Sequence, residues 1–259
     1  MDANEPGQPP LDQGLNATSW SRDLQTPTSA LAVGAHPDDV EFGCGATLAK
    51  WADAGCVVHH LVLTDGSKGT WNPDADITAL VASRRQEQVR AAARLAGERA
   101  GEVVFLDQVD GELGSDRSLS GEVARVIRRL RPDVVLGHDP WKRYRLHPDH
   151  RNAGLLVCDA IVAARDPHFY REHGLPSHRP DHLLLWEADQ PDHFEEVEAF
   201  VDTKLHALEA HESQFESTMK AVDDAQLEAF RDRVRSRLQA HGAAHGVPAA
   251  EIFKRISSL

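Results

Sequence analysis

The chain has 259 residues, 41% hydrophobic and 27% charged, which suits a soluble globular protein able to bury a core without covalent staples. Lys and Arg total 28 against 41 Asp and Glu, and the net charge of −13 argues against nucleic acid or anionic membranes as partners, since phosphate surfaces are held by clustered cations. Cys44, Cys56 and Cys158 are odd in number and lack C-x-x-C spacing, which argues against a disulfide framework or zinc knuckle; with no signal-peptide pattern and no apolar run of about 20 residues, a cytoplasmic protein without a membrane span is expected.

Residues 1–27 are rich in Pro, Gly, Asn and Gln without periodicity and are expected to form a flexible arm, leaving 28–259 as a single domain. "SALAVGA" (29–35) is the first predicted strand, and "GCGATLAKWADAG" (43–55) the first helix, stopping at Gly55. "CVVHHLVLTDG" (56–66) is a second strand, followed by a helix over 77–97 with Ala and Leu at helical spacing. A strand at 101–111 precedes "SGEVARVIRRLRP" (120–132), a helix expected to start at a Ser cap. "PDVVLGH" (132–138) is a fourth strand, 149–167 a helix ending before Pro167, and "HLLLWEA" (182–188) a fifth strand. Beyond residue 190, "DHFEEVEAFVDTKLHALEAHESQ" and "DDAQLEAFRDRVRSRLQAHG" read as charged amphipathic helices, and "AAEIFKRI" closes the chain. This alternation predicts an α/β fold: a Rossmann-like, mostly parallel sheet with helices on both faces and a helical C-terminal portion.

In such sheets ligands bind beyond the carboxyl ends of the strands, where "AHPDDVEFGCGATLAK" begins with His36, Asp38 and Asp39. One imidazole and one carboxylate do not make a catalytic metal site, which has three protein ligands and an open position. "RYRLHPDHRNAG" supplies His147 and His150 after the fourth strand, and a parallel sheet brings both segments to one edge. Two histidines and a carboxylate beside spare acids suit metal-assisted hydrolysis. Either His-Pro-Asp segment alone could be an ordinary turn, and most of the 15 histidines are expected at surface or core positions. No phosphate-loop signature is present. The order His-x-Asp and a distant His also matches iron(II) oxygenases, whose sites usually sit in all-β barrels rather than alternating β and α. A non-catalytic metal or sugar-binding module would need the same ligands but no acid or base.

The two His-Pro-Asp segments, with "LTDGSKG", "RRQEQVRAAARLAG", "FLDQVDGEL", "KLHALEAHESQ" and "AAEIFKRI", resemble the LmbE-like or PIG-L de-N-acetylases over roughly residues 29–256. The resemblance implies a hydrolase of linear amide C–N bonds that removes an N-acyl group, usually acetyl, from an amino-sugar-containing small molecule such as an N-acetylglucosamine glycoside. A non-sugar or thiol-conjugate amidase substrate is the alternative. It implies that His36, Asp39 and His150 hold a divalent metal, usually Zn2+, with Fe2+ or another divalent ion as the alternative in vivo. Asp38 becomes the general base and His147 the acid or electrostatic helper. Spacing does not choose between Asp38 and Asp39 as ligand; the resemblance does. Arg84 and Asp110 fall where relatives contact sugar hydroxyls. Asp149 could orient an imidazole, and His211 matches a family position. Some relatives carry tyrosine two residues before the first histidine of HPDH; here Arg145 stands there, with Tyr144 one step back, so both become candidates for substrate contact. Nothing in the sequence sets an oligomeric state.

Overall fold

The computed structural model describes residues 20–259. After a two-residue strand β1 (Ser21–Arg22), the chain enters β2 (Ser29–Gly34), where side chains alternate between the sheet faces. Leu31 and Val33 join one core with α3 (Arg117–Leu130) and α4 (Pro148–Arg165), while Ala30 and Ala32 join another with α1 (Asp39–Asp53) and α2 (Ile77–Ala96). The small alanines leave room on their side for Leu48 and Trp51 of α1, both fully buried. Burial on both faces is why the strands read as continuous apolar runs.

β2, β3 (Val57–Thr64), β4 (Ala100–Gln108), β5 (Val134–His138) and β6 (His182–Trp186) are parallel, in the order β4-β3-β2-β5-β6. The expected mostly parallel α/β sheet is therefore observed. β2 and β5 are neighbours whose crossovers run to opposite sides, which opens a crevice at their carboxyl ends. No helix among the described residues is long and apolar enough to cross a membrane. All three cysteines are unpaired thiols.

The sheet continues further than the sequence reading allows. β7 (His193–Glu196) and β8 (Ala250–Ser257) extend it to β1-β7-β8-β6, with β8 antiparallel to both β6 and β7. "DHFEEVE", expected as helix, is thus mainly strand, and only α5 (Val201–Leu208) is regular α-helix in that stretch. Its charges mimic a solvated helix face but are consumed inside. The fully buried Glu195 carboxylate accepts from Lys50 (2.8 Å), from the Leu24 backbone N–H (2.8 Å) and from His193 (3.1 Å). The same contacts order residues 20–27 of the expected arm, where Ser21–Arg22 pairs with β7 and Asp23 meets Lys50 at 2.6 Å. The remainder of that arm, residues 1–19, lies outside the described residues. "AAEIFKRI" is strand β8, and the second C-terminal helix is α6 (Asp224–Ala243), as expected.

Two helix starts also differ. α3 begins at Arg117 because Asp116 caps the Ser118 and Leu119 N–H groups, ahead of the expected Ser cap. α1 begins at Asp39, before Gly43, and breaks at Cys44 (φ −148°, ψ 18°). A buried ion pair fills the break. Lys204 donates to the Phe42 carbonyl at 2.8 Å, and the Glu251 carboxylate accepts the Ala46 and Thr47 N–H groups at 3.2 and 2.8 Å. Gly43 packs under Trp186, where a Cβ would lie 2.5 Å from the indole ring, so only a glycine permits this close approach.

Candidate metal centre

The turn after β2 is built to present two carboxylates differently. Asp38 adopts φ 104°, a left-handed conformation that aspartate tolerates better than most residues. Gln88 accepts its backbone N–H at 3.0 Å, and Arg84 donates to the Pro37 carbonyl at 2.6 Å and to the Gly66 carbonyl at 2.8 Å. Held this way, Asp39 folds back to accept the His36 backbone N–H at 2.7 Å, while the Asp38 carboxylate has Arg84 at 3.6 Å as its ion-pair partner.

Three nitrogen and oxygen donors converge beside this turn. His36 Nδ1 lies 3.2 Å from Asp39 Oδ2 and 3.2 Å from His150 Nε2, and His150 Nε2 lies 3.3 Å from Asp39 Oδ1. Zn–N bonds of about 2.0–2.1 Å give a tetrahedron with edges of about 3.3–3.4 Å, close to the separation of the two imidazole nitrogens, with one oxygen of the Asp39 carboxylate facing each of them. The other nitrogen of His36 is also provided for. Its Nε2–H faces Asp110 and Asp149, each at 3.1 Å, and thereby orients Nδ1 towards the cluster. Asp149 is itself held by the Gly111 and Leu113 N–H groups at 2.7 and 3.2 Å, and does not cap α4. Three overlapping donor groups share this cluster: His36 with His147 and His150, Asp39 with His138 and His150, and His36 with Asp110 and Asp149.

The electrostatics suit a cation. Burial alone would lower the His36 pKa, but hydrogen bonds to Asp110, Asp149 and Asp39 outweigh it and push the imidazole up to about 12. That much uncompensated carboxylate around one ring is charge a divalent ion neutralises. Burial brings His150 down to about 4 despite Asp39, leaving the neutral imidazole that ligates metals. Asp38 is pushed up by burial, pulled back by Arg84 and raised again by Asp39, to about 6. Burial and the neighbouring His36 charge hold His147 below its ordinary value.

The other expected site residues divide into two groups. Arg84 and Asp110 line the crevice with the donors, in a cavity of about 880 Å3. Tyr144 does not line it: the residue is 89% exposed, in a left-handed turn at φ 61°. Arg145 also stays out of the lining and turns to His150 Nδ1 at 2.8 Å and Glu187 at 2.6 Å. A guanidinium only donates, so this contact occupies the Nδ1 lone pair; ligation of a neutral ring through Nε2 needs a proton there instead and excludes it. His211 lies behind the turn, fully buried, at 3.3 Å from Glu41, which also accepts from Gln88 at 2.8 Å.

Sequence reasoning passed over His138, although its place at the carboxyl end of β5 signals it. The Trp186 indole N–H donates to His138 Nδ1 at 3.0 Å, which leaves the proton on Nε2, facing Asp39 Oδ2 at 3.2 Å. His138 therefore fixes the Asp39 carboxylate. Gln88, Glu41 and Trp186 carry no motif and emerge only from packing.

The PIG-L family, described as GlcNAc-PI de-N-acetylase, matches residues 31–161. Diacetylchitobiose deacetylase of Thermococcus kodakarensis is 37% identical over 188 residues, covering 71% of this chain and 69% of that protein. The structure of N,N'-diacetylchitobiose deacetylase from Pyrococcus horikoshii, in complex with an inhibitor, superposes with a TM-score of 0.80 at 28% identity, covering 89% of this chain and 84% of that one. A 4-oxalmesaconate hydratase of Pseudomonas putida is 32% identical over 149 residues, 56% of each chain. The chain belongs to the PIG-L family.

Proposed function

We propose that this PIG-L family member is a zinc-dependent hydrolase that removes the N-acetyl group from an N-acetylglucosamine-containing small molecule. The observation that carries the reading is the convergence of His36 Nδ1 and His150 Nε2, 3.2 Å apart, on the Asp39 carboxylate, whose Oδ2 and Oδ1 lie 3.2 and 3.3 Å from them, beside a buried carboxylate at Asp38 that stands outside this cluster. The deacetylases among its relatives support the same chemistry.

His36, Asp39 and His150 would hold a divalent cation, which would supply Lewis acidity towards the amide carbonyl and a nucleophilic water near neutral pH. Asp38 receives the proton of the attacking water, and its rise to about 6 brings it nearer the range useful to a general base. His147, stacked on His150 with ring centroids 4.8 Å apart, delivers a proton to the leaving amine. Arg84 and Asp110, on the cavity wall, meet the sugar hydroxyls. Asp149 and His138 hold His36 and Asp39 in register for these steps. The three free thiols fit a reducing, cytoplasmic setting.

The test is acetate release from N,N'-diacetylchitobiose and from simple N-acetylglucosamine glycosides, before and after chelation and after reloading with Zn2+ or, anaerobically, Fe2+. Activity should vanish on chelation and return with metal, and His150→Ala should bind none. Chelator-resistant acetate release would refute the metal role. The hydratase relative gives a second reading, addition of water to an unsaturated polycarboxylate. Product analysis separates the two, since only hydrolysis liberates acetate and a free amine.

A further inference from the structure

The cavity does not end at the metal centre. It runs on between α1 and α6, where one face of α6 lines it with Phe230, Arg233, Val234, Arg237, Leu238 and His241. Their spacing of three and four residues puts them on one helical stripe. At about 880 Å3 the cavity stands near the upper end of the roughly 300–1,000 Å3 common for small-molecule sites, more than one sugar ring fills. α6 lies beyond the family-matched segment 31–161.

The charges on α6 are sorted by face. Arg231 and Arg235, which do not line the cavity, are ion-paired, Arg231 with Glu209 at 2.6 Å and Arg235 with Asp202 at 3.2 Å. Arg233 and Arg237 do line it, as does Lys220 from the preceding turn, and none of the three reaches a carboxylate at ion-pair distance among the described residues. Arg233 donates to the Met219 carbonyl at 2.8 Å and lies 5.8 Å from the centre of the Phe230 ring, which leaves most of its five donors unused. In a chain of net charge −13, three cations without acidic partners on a cavity wall are a selective arrangement. Beside them, Phe42, Phe230, Val234 and Leu238 give the arm an apolar floor.

Building on the deacetylase reading, we infer that this arm binds an anionic group, a carboxylate or phosphate, carried on an apolar portion of the substrate beyond the N-acetylated sugar. The acetamido end meets the metal centre while Lys220, Arg233 and Arg237 hold the distal anion through charge-assisted hydrogen bonds. Neutral glycosides fill the first part of the cleft and leave those cations to water. The anion therefore improves capture more than the chemical step.

The experiment compares matched aryl glycosides of N-acetylglucosamine: 4-carbamoylphenyl (neutral), 4-carboxyphenyl and 4-phosphonooxyphenyl. In the metal-loaded enzyme, kcat/KM for one or both anionic glycosides should exceed that of the carbamoyl compound by on the order of tenfold, about 1.4 kcal/mol, with the difference in KM. The two anionic arms tell carboxylate from phosphate. The ratio should shrink towards one in the Arg233→Gln/Arg237→Gln double variant and with rising salt, and persist in Arg231→Gln/Arg235→Gln. A ratio near one in the unaltered enzyme, or a ratio the Arg233→Gln/Arg237→Gln change does not move, overturns the inference while leaving the deacetylase reading intact. If no glycoside releases acetate, that reading falls, and calorimetric binding of the same compounds decides the arm alone. Tighter binding of an anionic glycoside that the double variant abolishes sustains it, and equal binding of all three overturns it.

Discussion

Replacing Asp38 by asparagine tests the division of labour between the adjacent aspartates. Asparagine is the better probe than alanine, because Asp38 sits at φ 104° and asparagine is among the few residues that share aspartate's tolerance of left-handed backbone. Neutralising the side chain removes the one carboxylate at ion-pair distance from the buried Arg84 among the described residues, but that contact is a long 3.6 Å and Arg84 keeps its shorter hydrogen bonds to the Pro37 and Gly66 carbonyls. The turn, the metal ligands and the melting temperature should therefore survive. Turnover should not. Loss of a positioned base costs about 10²–10⁴ in rate, or roughly 3–5 kcal/mol at about 1.36 kcal/mol per tenfold. Acetate release, bound metal by elemental analysis and a thermal melt on the same preparation give all three quantities. Turnover within tenfold of the unaltered enzyme, with metal retained, refutes Asp38 as base. Loss of metal instead makes Asp38 a ligand and overturns the assignment of Asp39.

Four further outcomes are expected. Asp149→Asn should weaken metal binding by about 10–100-fold, measured by chelator competition, because Asp149 accepts from His36 Nε2 at 3.1 Å and orients the ring. Arg145→Ala should strengthen metal binding in the same competition, since the contact at His150 Nδ1 excludes ligation of the neutral ring; unchanged or weaker affinity would show that Arg145 does not compete. Gly43→Ala should cost about 1–3 kcal/mol in a denaturant titration, because the new methyl would sit 2.5 Å from Trp186. Acid stability should depend on Glu41. Burial would raise its pKa, but the His211 hydrogen bond and charge hold it below its ordinary 4.5, so the unfolded chain takes up the proton first as pH falls. That stabilisation is complete above about pH 4.5 and fades through the lower folded value, and Glu41→Gln should flatten this limb of a melting-temperature profile; an unaltered slope would exclude Glu41 as its source.

The sequence by itself determined the parallel half of the sheet and the two segments that meet at the candidate metal centre. Strands buried on both faces must be apolar throughout, so β2, β3, β5 and β6 stand out as Val- and Leu-rich runs. A histidine and acids directly after such a run must emerge at the sheet edge, which made His36, the Asp38–Asp39 pair, His147 and His150 legible as candidates from local pattern, while the preference for Asp39 over Asp38 came from the family resemblance. The tertiary structure decided what depends on partners distant in sequence. Glu195 belongs to a strand because Lys50, Leu24 and His193 satisfy its buried charge, and no window of sequence around "DHFEEVE" contains Lys50 or Leu24. His138 acquires a role because Trp186 fixes its tautomer from 48 residues away, and α1 breaks at Cys44 because Lys204 and Glu251 take up the freed backbone groups. The cations of α6 show the same limit. Arg231, Arg233, Arg235 and Arg237 alternate along the chain as one charged run, and only the packing of the helix shows which two are neutralised by acids and which two face the cavity.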